Sequence, residues 1–380
     1  MLFSAVYRSP SKIVWMSRPS SQLPSRSAAS PAAIAAIDQL LAGVGLEHGH
    51  RKLGRSGIVR QIKYDRARTG ADPVDADELR QQQRPVRPSK IEVMQAEGWS
   101  KYPWLLHGSS TRTGGKTTVY RTEDESKARR AGELNLGFTE HDQRARVEEN
   151  RRRFVAAITG DEPLPLVLLK QIHSRISWKI GPKDDLEAER RGDGLMTRRA
   201  GILLGVQTAD CIPVMVADTR RKAVAVFHAG WRGTLARVVE GGIGRMRMEF
   251  GSKPKDLIAT IGPGIGQCCY AVGDEVRAEF TSQFAYSDDL FCEVYDSDPV
   301  RERYPLLFLT ARAPGHSPIG PSTHLDLIEA NRRQLLDAGL KPEAVSVLGD
   351  CTRCHSNRYF SHRASHGFTG RMMSVIGVRE

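Results

Sequence analysis

Three residues of this 380-residue chain have side chains and positions suited to holding a metal: His173, Cys211 and His228. Each follows a short apolar run of the kind that forms a buried strand. His173 comes at the end of Leu166–Ile172, Cys211 follows Gly201–Gln207 across Thr208-Ala209-Asp210, and His228 comes at the end of Ala223–Phe227. Residues at strand ends converge on one edge of a sheet, where open sheets carry their sites. Two imidazoles and one thiolate make a three-ligand set suited to zinc, with a fourth position open to water. Water in that position is acidified toward neutrality and becomes a usable nucleophile. The plainer alternative is a buried cysteine and two hydrogen-bonded histidines, since the three lie far apart in sequence.

Other segments have chemistry of their own. Gly230-Trp231-Arg232-Gly233-Thr234 precedes a long amphipathic stretch, with glycine for a sharp turn and Thr234 as the expected N-cap. The first free N–H groups of that helix, beside Arg232, would bind an anion such as phosphate; a simple strand-to-helix turn fits equally well. Ser109-Ser110-Thr111-Arg112-Thr113-Gly114-Gly115 reads as a polar loop with one guanidinium, suited to phosphate or a sugar hydroxyl, or as a surface loop. Gly262-Pro263-Gly264-Ile265-Gly266 fails the dinucleotide spacing and reads as a tight turn with close backbone approach. Cys351-x-x-Cys354-His355 has the spacing of a redox pair, half a zinc knuckle or a haem attachment site; with no second CxxC to complete a knuckle, it reads as structural. His362, Arg363 and His366 either line a pocket or lie in solvent.

The elements that would position these groups begin near Trp99. Helices are expected over Val147–Ile158, Thr234–Phe250 and Leu325–Ala338. In the second of these, Leu235, Val238, Val239, Ile243 and Met246 recur at helical spacing. Strands are expected at Leu166–Ile172, Gly201–Gln207, Pro213–Ala217, Ala223–Phe227, Asp256–Ile261 and Ala344–Leu348. The three in the middle are spaced closely enough to be neighbours in one sheet. The fold class that follows is α/β (α+β): a single compact domain of mixed β-sheets flanked by helices, residues 96–380, preceded by a poorly ordered basic N-terminal arm, residues 1–95. Within the arm only Ala32–Val44 has helical character.

The net charge of +12 invites nucleic acid, an anionic membrane or small anionic substrates as partners. Residues 1–95 carry 15 Lys/Arg against 8 Asp/Glu, so the larger share of the excess belongs to the arm. Nucleic acid is therefore not the expected partner of the domain. No run approaches the ~18 apolar residues of a membrane span. No acidic residue precedes Asp38, a composition weakly like a transit peptide and better read as a disordered extension. Six cysteines, Cys268 and Cys269 adjacent, are too few for a disulfide scaffold, so a reducing, cytoplasmic setting is the expectation. The sequence does not give the oligomeric state; a monomer is favoured.

Several segments together resemble one known family. They are His107-Gly108-Ser109-Ser110-Thr111-Arg112-Thr113-Gly114-Gly115, Asn135-Leu136-Gly137, Gln171-Ile172-His173, Asp193-Gly194-Leu195-Met196-Thr197, Thr208-Ala209-Asp210-Cys211-Ile212-Pro213, His228-Ala229-Gly230-Trp231-Arg232-Gly233, Ile261-Gly262-Pro263-Gly264-Ile265, Asp350-Cys351-Thr352, Phe360-Ser361-His362-Arg363 and Thr369-Gly370-Arg371. In this order they resemble the multicopper polyphenol oxidase (laccase-domain) proteins, understood as purine nucleoside phosphorylases with adenosine deaminase activity. The likeness spans roughly residues 97–378. It implies zinc on His173, Cys211 and His228, and Arg112 in the pocket near the metal. The implied substrates are adenosine, inosine, guanosine and 5′-methylthioadenosine, cleaved by phosphate to a free base and a ribose 1-phosphate, with adenosine alternatively deaminated by water. On that basis Arg112, Arg232 and Ser110 are expected at phosphate, Cys211 and Arg112 as catalytic, and Asp210 as a proton shuttle. One departure is His362, where the family usually has an aromatic residue. The rival activities are a copper-dependent polyphenol oxidase and a cell-wall precursor editing factor. Copper is poorly matched by 11 histidines whose only His-x-His pair is His48 and His50.

Overall fold

Most strands of this protein are buried on both faces, so the alternation of side chains sorts each strand's residues between two different cores. The computed structural model of the chain describes residues 91–121, 132–294 and 321–380; the expected helix at Ala32–Val44 and the His48/His50 pair lie outside them. One five-stranded sheet has the order β1 (Val93–Met94), β2 (Leu105–Ser110), β15 (Met372–Val378), β8 (Ile202–Thr208), β5 (Leu166–Val167). A six-stranded sheet has the order β14 (Val345–Val347), β11 (Leu257–Ile261), β9 (Ile212–Asp218), β10 (Ala223–Ala229), β7 (Gly194–Thr197), β6 (Ser177–Ile180). Both are mixed: β5–β8, β6–β7 and β11–β14 pair parallel and the remaining neighbours antiparallel. Two small two-stranded sheets pair β3 (Thr113–Gly115) with β4 (Gly132–Glu133) and β12 (Phe291–Val294) with β13 (Ser322–Leu325). The helices are α1 (Arg144–Thr159), α2 (Trp231–Leu235), α3 (Val238–Phe250), α4 (Asp274–Gln283) and α5 (Leu327–Asp337).

The layers follow from the alternation. Met215, Ala217, Val224 and Val226 of the six-stranded sheet meet Leu204, Val206, Ile376 and Val378 of the five-stranded one, forming a sheet-on-sheet core. The opposite face of the six-stranded sheet, with Val214, Val216, Ala225 and Phe227, is covered by Val239, Ile243 and Met246 of α3 and Leu335 of α5. The outer face of the five-stranded sheet, with Leu106, Leu203, Met373 and Val375, is covered by Phe154, Val155 and Ile158 of α1. The result is helices, sheet, sheet, helix. No helix among the described residues is long and apolar enough to cross a membrane.

Five local expectations are corrected. The three close-set strands are not neighbours in one sheet: β9 and β10 pair, whereas β8 lies in the other sheet between β15 and β5. The chain crosses between sheets at Ala209–Cys211, where Asp210 takes φ 90. The Thr234–Phe250 helix is two helices, because Arg237 takes a left-handed conformation (φ 58) and the Thr234 carbonyl accepts from the Gln334 amide. Thr234 is no N-cap; it lies within α2, buried, its hydroxyl accepting from Asn331. The Leu166–Ile172 strand ends at Val167, and Val93 and Met94, grouped by composition with the arm, pair with Ser110 and Ser109 of β2.

Helix α3 packs directly on Phe227: a Cβ on Gly242 would lie 2.2 Å from the Phe227 ring, whereas one on Gly241 meets nothing within 4 Å. Alanine favours a helix interior over glycine by about 0.5–1 kcal/mol, and overpacking a core costs about 1–3 kcal/mol. Gly241→Ala should therefore stabilise the full chain and Gly242→Ala destabilise it, read as opposite shifts of the urea midpoint.

Candidate metal centre

The crossover between sheets presents Cys211. Asp210 holds that turn: its Oδ1 accepts from the Thr352 hydroxyl at 2.6 Å, its Oδ2 from the Arg363 N–H at 2.7 Å, and its carbonyl from the Ile265 N–H at 2.8 Å. His228 stands near the end of β10, opposite Pro213 of β9, so its ring emerges beside the same turn. His173 arrives from the loop after β5. That loop stays in register because the Gln171 amide copies a strand pairing, donating to the Gln207 carbonyl and accepting from its N–H, both at 2.8 Å. The donor atoms of His173, Cys211 and His228 all lie within 4.8 Å of one another. Cys211 Sγ is 3.9 Å from His173 Nε2, and the two imidazoles meet edge to face at 4.9 Å. Gly230 closes the back: a Cβ there would lie 2.9 Å from His173 Cδ2 and 3.0 Å from Cys211 Sγ.

A residue given no role by sequence reasoning organises the set. Asp193 is fully buried at the head of β7. Its carboxylate accepts from the His228 Nδ1–H at 2.8 Å, from the backbone N–H of His173 at 3.0 Å and Ser174 at 2.6 Å, and from the Ser174 hydroxyl at 2.8 Å. It thus orients one imidazole through its ring and the other through its backbone, which at His173 is left-handed (φ 58). Holding Nδ1 leaves Nε2 of His228 as the donor toward the centre. Burial works against each charge here, and the contacts overcome it. Asp193 is held below the ordinary carboxylate range by His228 and Ser174. Cys211 is brought down to about 6 by His173 and His228, and His228 up to about 9 by Asp193 and Cys211. A thiolate between imidazoles, with one face open because His173 is exposed, is a donor set that a borderline-soft divalent cation fits.

The centre forms one side of a cavity of about 590 Å³, within the usual range for a small-molecule site. Lys170, Gln207, Tyr270, His362, Arg363 and Arg371 line other parts of its wall. His362, the departure from the family pattern, therefore faces the cavity with Arg363, whereas His366 is not on its wall.

Two of the expected phosphate residues lie elsewhere. Arg112 is buried, its Nε on Glu133 at 2.6 Å and its other nitrogens on the carbonyls of Ser356 and Tyr120, and it is not on the cavity wall. Ser110 is fully buried in β2, its hydroxyl accepting from the Met373 N–H at 3.0 Å. The Ser109–Gly115 segment is thus the end of β2 and the β3 strand, paired with β4, rather than a surface loop. Arg232 is exposed, stacked on its neighbour Trp231 at 4.2 Å, outside the cavity wall but close enough to act electrostatically on Tyr270. Of the cations on the wall, Arg363 and Arg371 lie in segments that the sequence marks, Arg363 as a pocket candidate, whereas Lys170 has no signature.

A model of the multi-copper polyphenol oxidoreductase laccase family matches residues 106–379. The Bacillus subtilis (strain 168) protein named purine nucleoside phosphorylase YlmD is 32% identical over 283 residues, 73% of this chain and 89% of that one. A protein of an unknown prokaryotic organism, named adenosine deaminase RL5, is 32% identical over 218 residues, 56% of this chain and 74% of that one. The crystal structure of Bacillus licheniformis hypothetical protein YfiH superposes with a TM-score of 0.61 at 29% identity, covering 77% of this chain and 97% of that one. These matches mean that the chain belongs to the multi-copper polyphenol oxidoreductase laccase family.

Proposed function

We propose that this chain is a zinc-dependent purine nucleoside phosphorylase, cleaving adenosine, inosine, guanosine and 5′-methylthioadenosine, that also deaminates adenosine. The observation that carries the reading is the His173–Cys211–His228 set opening into a cation-lined cavity large enough for a nucleoside and phosphate. The names of the relatives YlmD and RL5 point the same way. Zinc suits the donors better than copper: among the described residues, His173 and His228 are the only histidines in a cluster of three or more ligand groups, whereas a multicopper centre needs many. When bound, zinc in such a set supplies Lewis acidity and lowers the pKa of water toward neutrality.

The chain's own residues do the rest. In phosphorolysis the bond from the ribose C1′ to the purine nitrogen breaks, a phosphate oxygen bonds C1′, and a proton goes to the base. Arg363 and Arg371 take the place of Arg112 and Ser110 as phosphate-holding groups, since charge-assisted hydrogen bonds are the strong ones and these two face the cavity. Lys170 adds a third positive charge on the wall. In deamination water supplies the oxygen that bonds C6, the C6–N bond breaks, and the exocyclic nitrogen leaves as ammonia with one proton of the water, the other staying on the purine. Asp210 already accepts from Thr352 and Arg363, which suits setting the Cys211 turn better than shuttling a proton.

Incubation with adenosine should give adenine and ribose 1-phosphate only when phosphate is present, and inosine without it. Cys211→Ala should abolish both products together with the cavity's zinc; full turnover by a zinc-free Cys211→Ala protein, or phenol oxidation by a copper-loaded chain lacking phosphorolysis, would overturn the reading. Asp193→Asn should lower zinc affinity in competition with a chromophoric chelator by about 10- to 100-fold while the far-ultraviolet circular dichroism stays native. Arg371→Ala should raise the KM for phosphate by roughly tenfold or more with little change in stability. Arg112→Ala, leaving Glu133 buried without its ion-pair partner, should instead cost about 3–5 kcal/mol in urea unfolding.

A further inference from the structure

We propose that Cys268, Cys269, Cys351 and Cys354 bind a second metal ion, a zinc held by four thiolates, at a site separate from the cavity. The CxxC pair does have a second half, but it is the adjacent pair Cys268-Cys269 rather than another CxxC. The two pairs come from different loops. Cys268 and Cys269 follow β11 in a turn closed by the Cys269 and Tyr270 N–H groups on the Gly266 carbonyl. Cys351 and Cys354 follow β14 in a turn closed by the His355 N–H on the Cys351 carbonyl. Although separated by more than 80 positions, Cys268 and Cys269 bring their sulfurs to 3.5 Å and 3.3 Å from that of Cys354. All four sulfurs lie within 4.8 Å of one another.

That spacing is the size of one ion. Zinc–sulfur bonds of about 2.3 Å in a tetrahedron put the sulfurs about 3.8 Å apart. The sulfurs are too far apart for disulfides, whose bond is about 2.05 Å, and all four cysteines are free thiols. They are also too close together to enclose a multi-iron cluster. None of the four belongs to an apolar core cluster, so hydrophobic packing does not account for their meeting. The site is also tight, since a Cβ on Gly266 would lie 3.1 Å from Cys351 Cβ and 3.3 Å from Cys268 Sγ.

An ion here pins together two loops that build the cavity. The first supplies Ile265 and Tyr270 to its wall, and the second supplies Thr352 to Asp210. The ion's role is to brace, whatever reaction the cavity performs. The test uses the full chain carrying Cys211→Ser, which removes the thiolate of the other centre. Elemental mass spectrometry should find about one zinc per chain, lost on adding Cys351→Ser and Cys354→Ser. Under native conditions iodoacetamide should spare these four cysteines until the metal is chelated. Cobalt replacing zinc should show thiolate-to-cobalt charge-transfer absorption. Should the double serine change prevent folding, cobalt titration of the Cys211→Ser chain decides: thiolate-to-cobalt absorption saturating at one equivalent supports the site, and cobalt uptake without that absorption overturns it. Metal-free Cys211→Ser protein that takes up no cobalt, or an intact mass two hydrogens short with a Cys354 disulfide mapped by digestion, equally overturns it.

Discussion

The centre depends on one buried carboxylate. Asp193 has no exposed surface, and a buried charge is tolerated only when it is paired and hydrogen-bonded. Here it receives the His228 ring, two strong backbone donors and a hydroxyl. The carboxylate is placed by the six-stranded sheet, because Asp193 heads β7 and β7 pairs along β10, the strand that carries His228. Through the same two oxygens the sheet reaches across to the loop that carries His173. Breaking that link would free one ligand's ring and the other's backbone at once.

Around the carboxylate the backbone is held in two conformations that side chains other than glycine rarely adopt, φ 58 at His173 and φ 90 at Asp210. Each costs on the order of 1–3 kcal/mol and persists only where neighbours over-determine it. At His173 the over-determination comes from Asp193 and from the Gln171 amide pairing on Gln207. At Asp210 it comes from Thr352, Arg363 and Ile265. The chain is strained where it leaves one sheet for the other, and there it presents Cys211. The second group of thiols braces the far side of that turn, since its two loops also hold Ile265 and Thr352.

The arginines show how charge is divided between stability and binding. Arg112 neutralises Glu133 inside the β3–β4 region, its guanidinium 5.3 Å from the Phe360 ring. Arg363 and Arg371 use one nitrogen each on nearby carbonyls and face the cavity. The same residue type is buried in an ion pair in one place and faces a cavity in the other, and only the surroundings separate them.

The three metal-ligand candidates, the apolar strand runs and the helices α1 and α5 were legible in the sequence, because local alternation and helical spacing report burial directly. So was the family, through its ordered motifs. The bulk charge of +12 pointed at polymers, while the residues facing the cavity are a few placed cations. What only the tertiary structure decided is which strands share a sheet, where the long helix breaks, which arginines reach the cavity, that Asp193 joins two histidines, and that Cys268-Cys269 meets Cys351 and Cys354. All of these turn on partners far away in the chain: Gln334 for Thr234, Glu133 for Arg112, His228 for Asp193. A sequence read locally registers what a residue prefers, whereas its role is set by what the packed sheets bring against it.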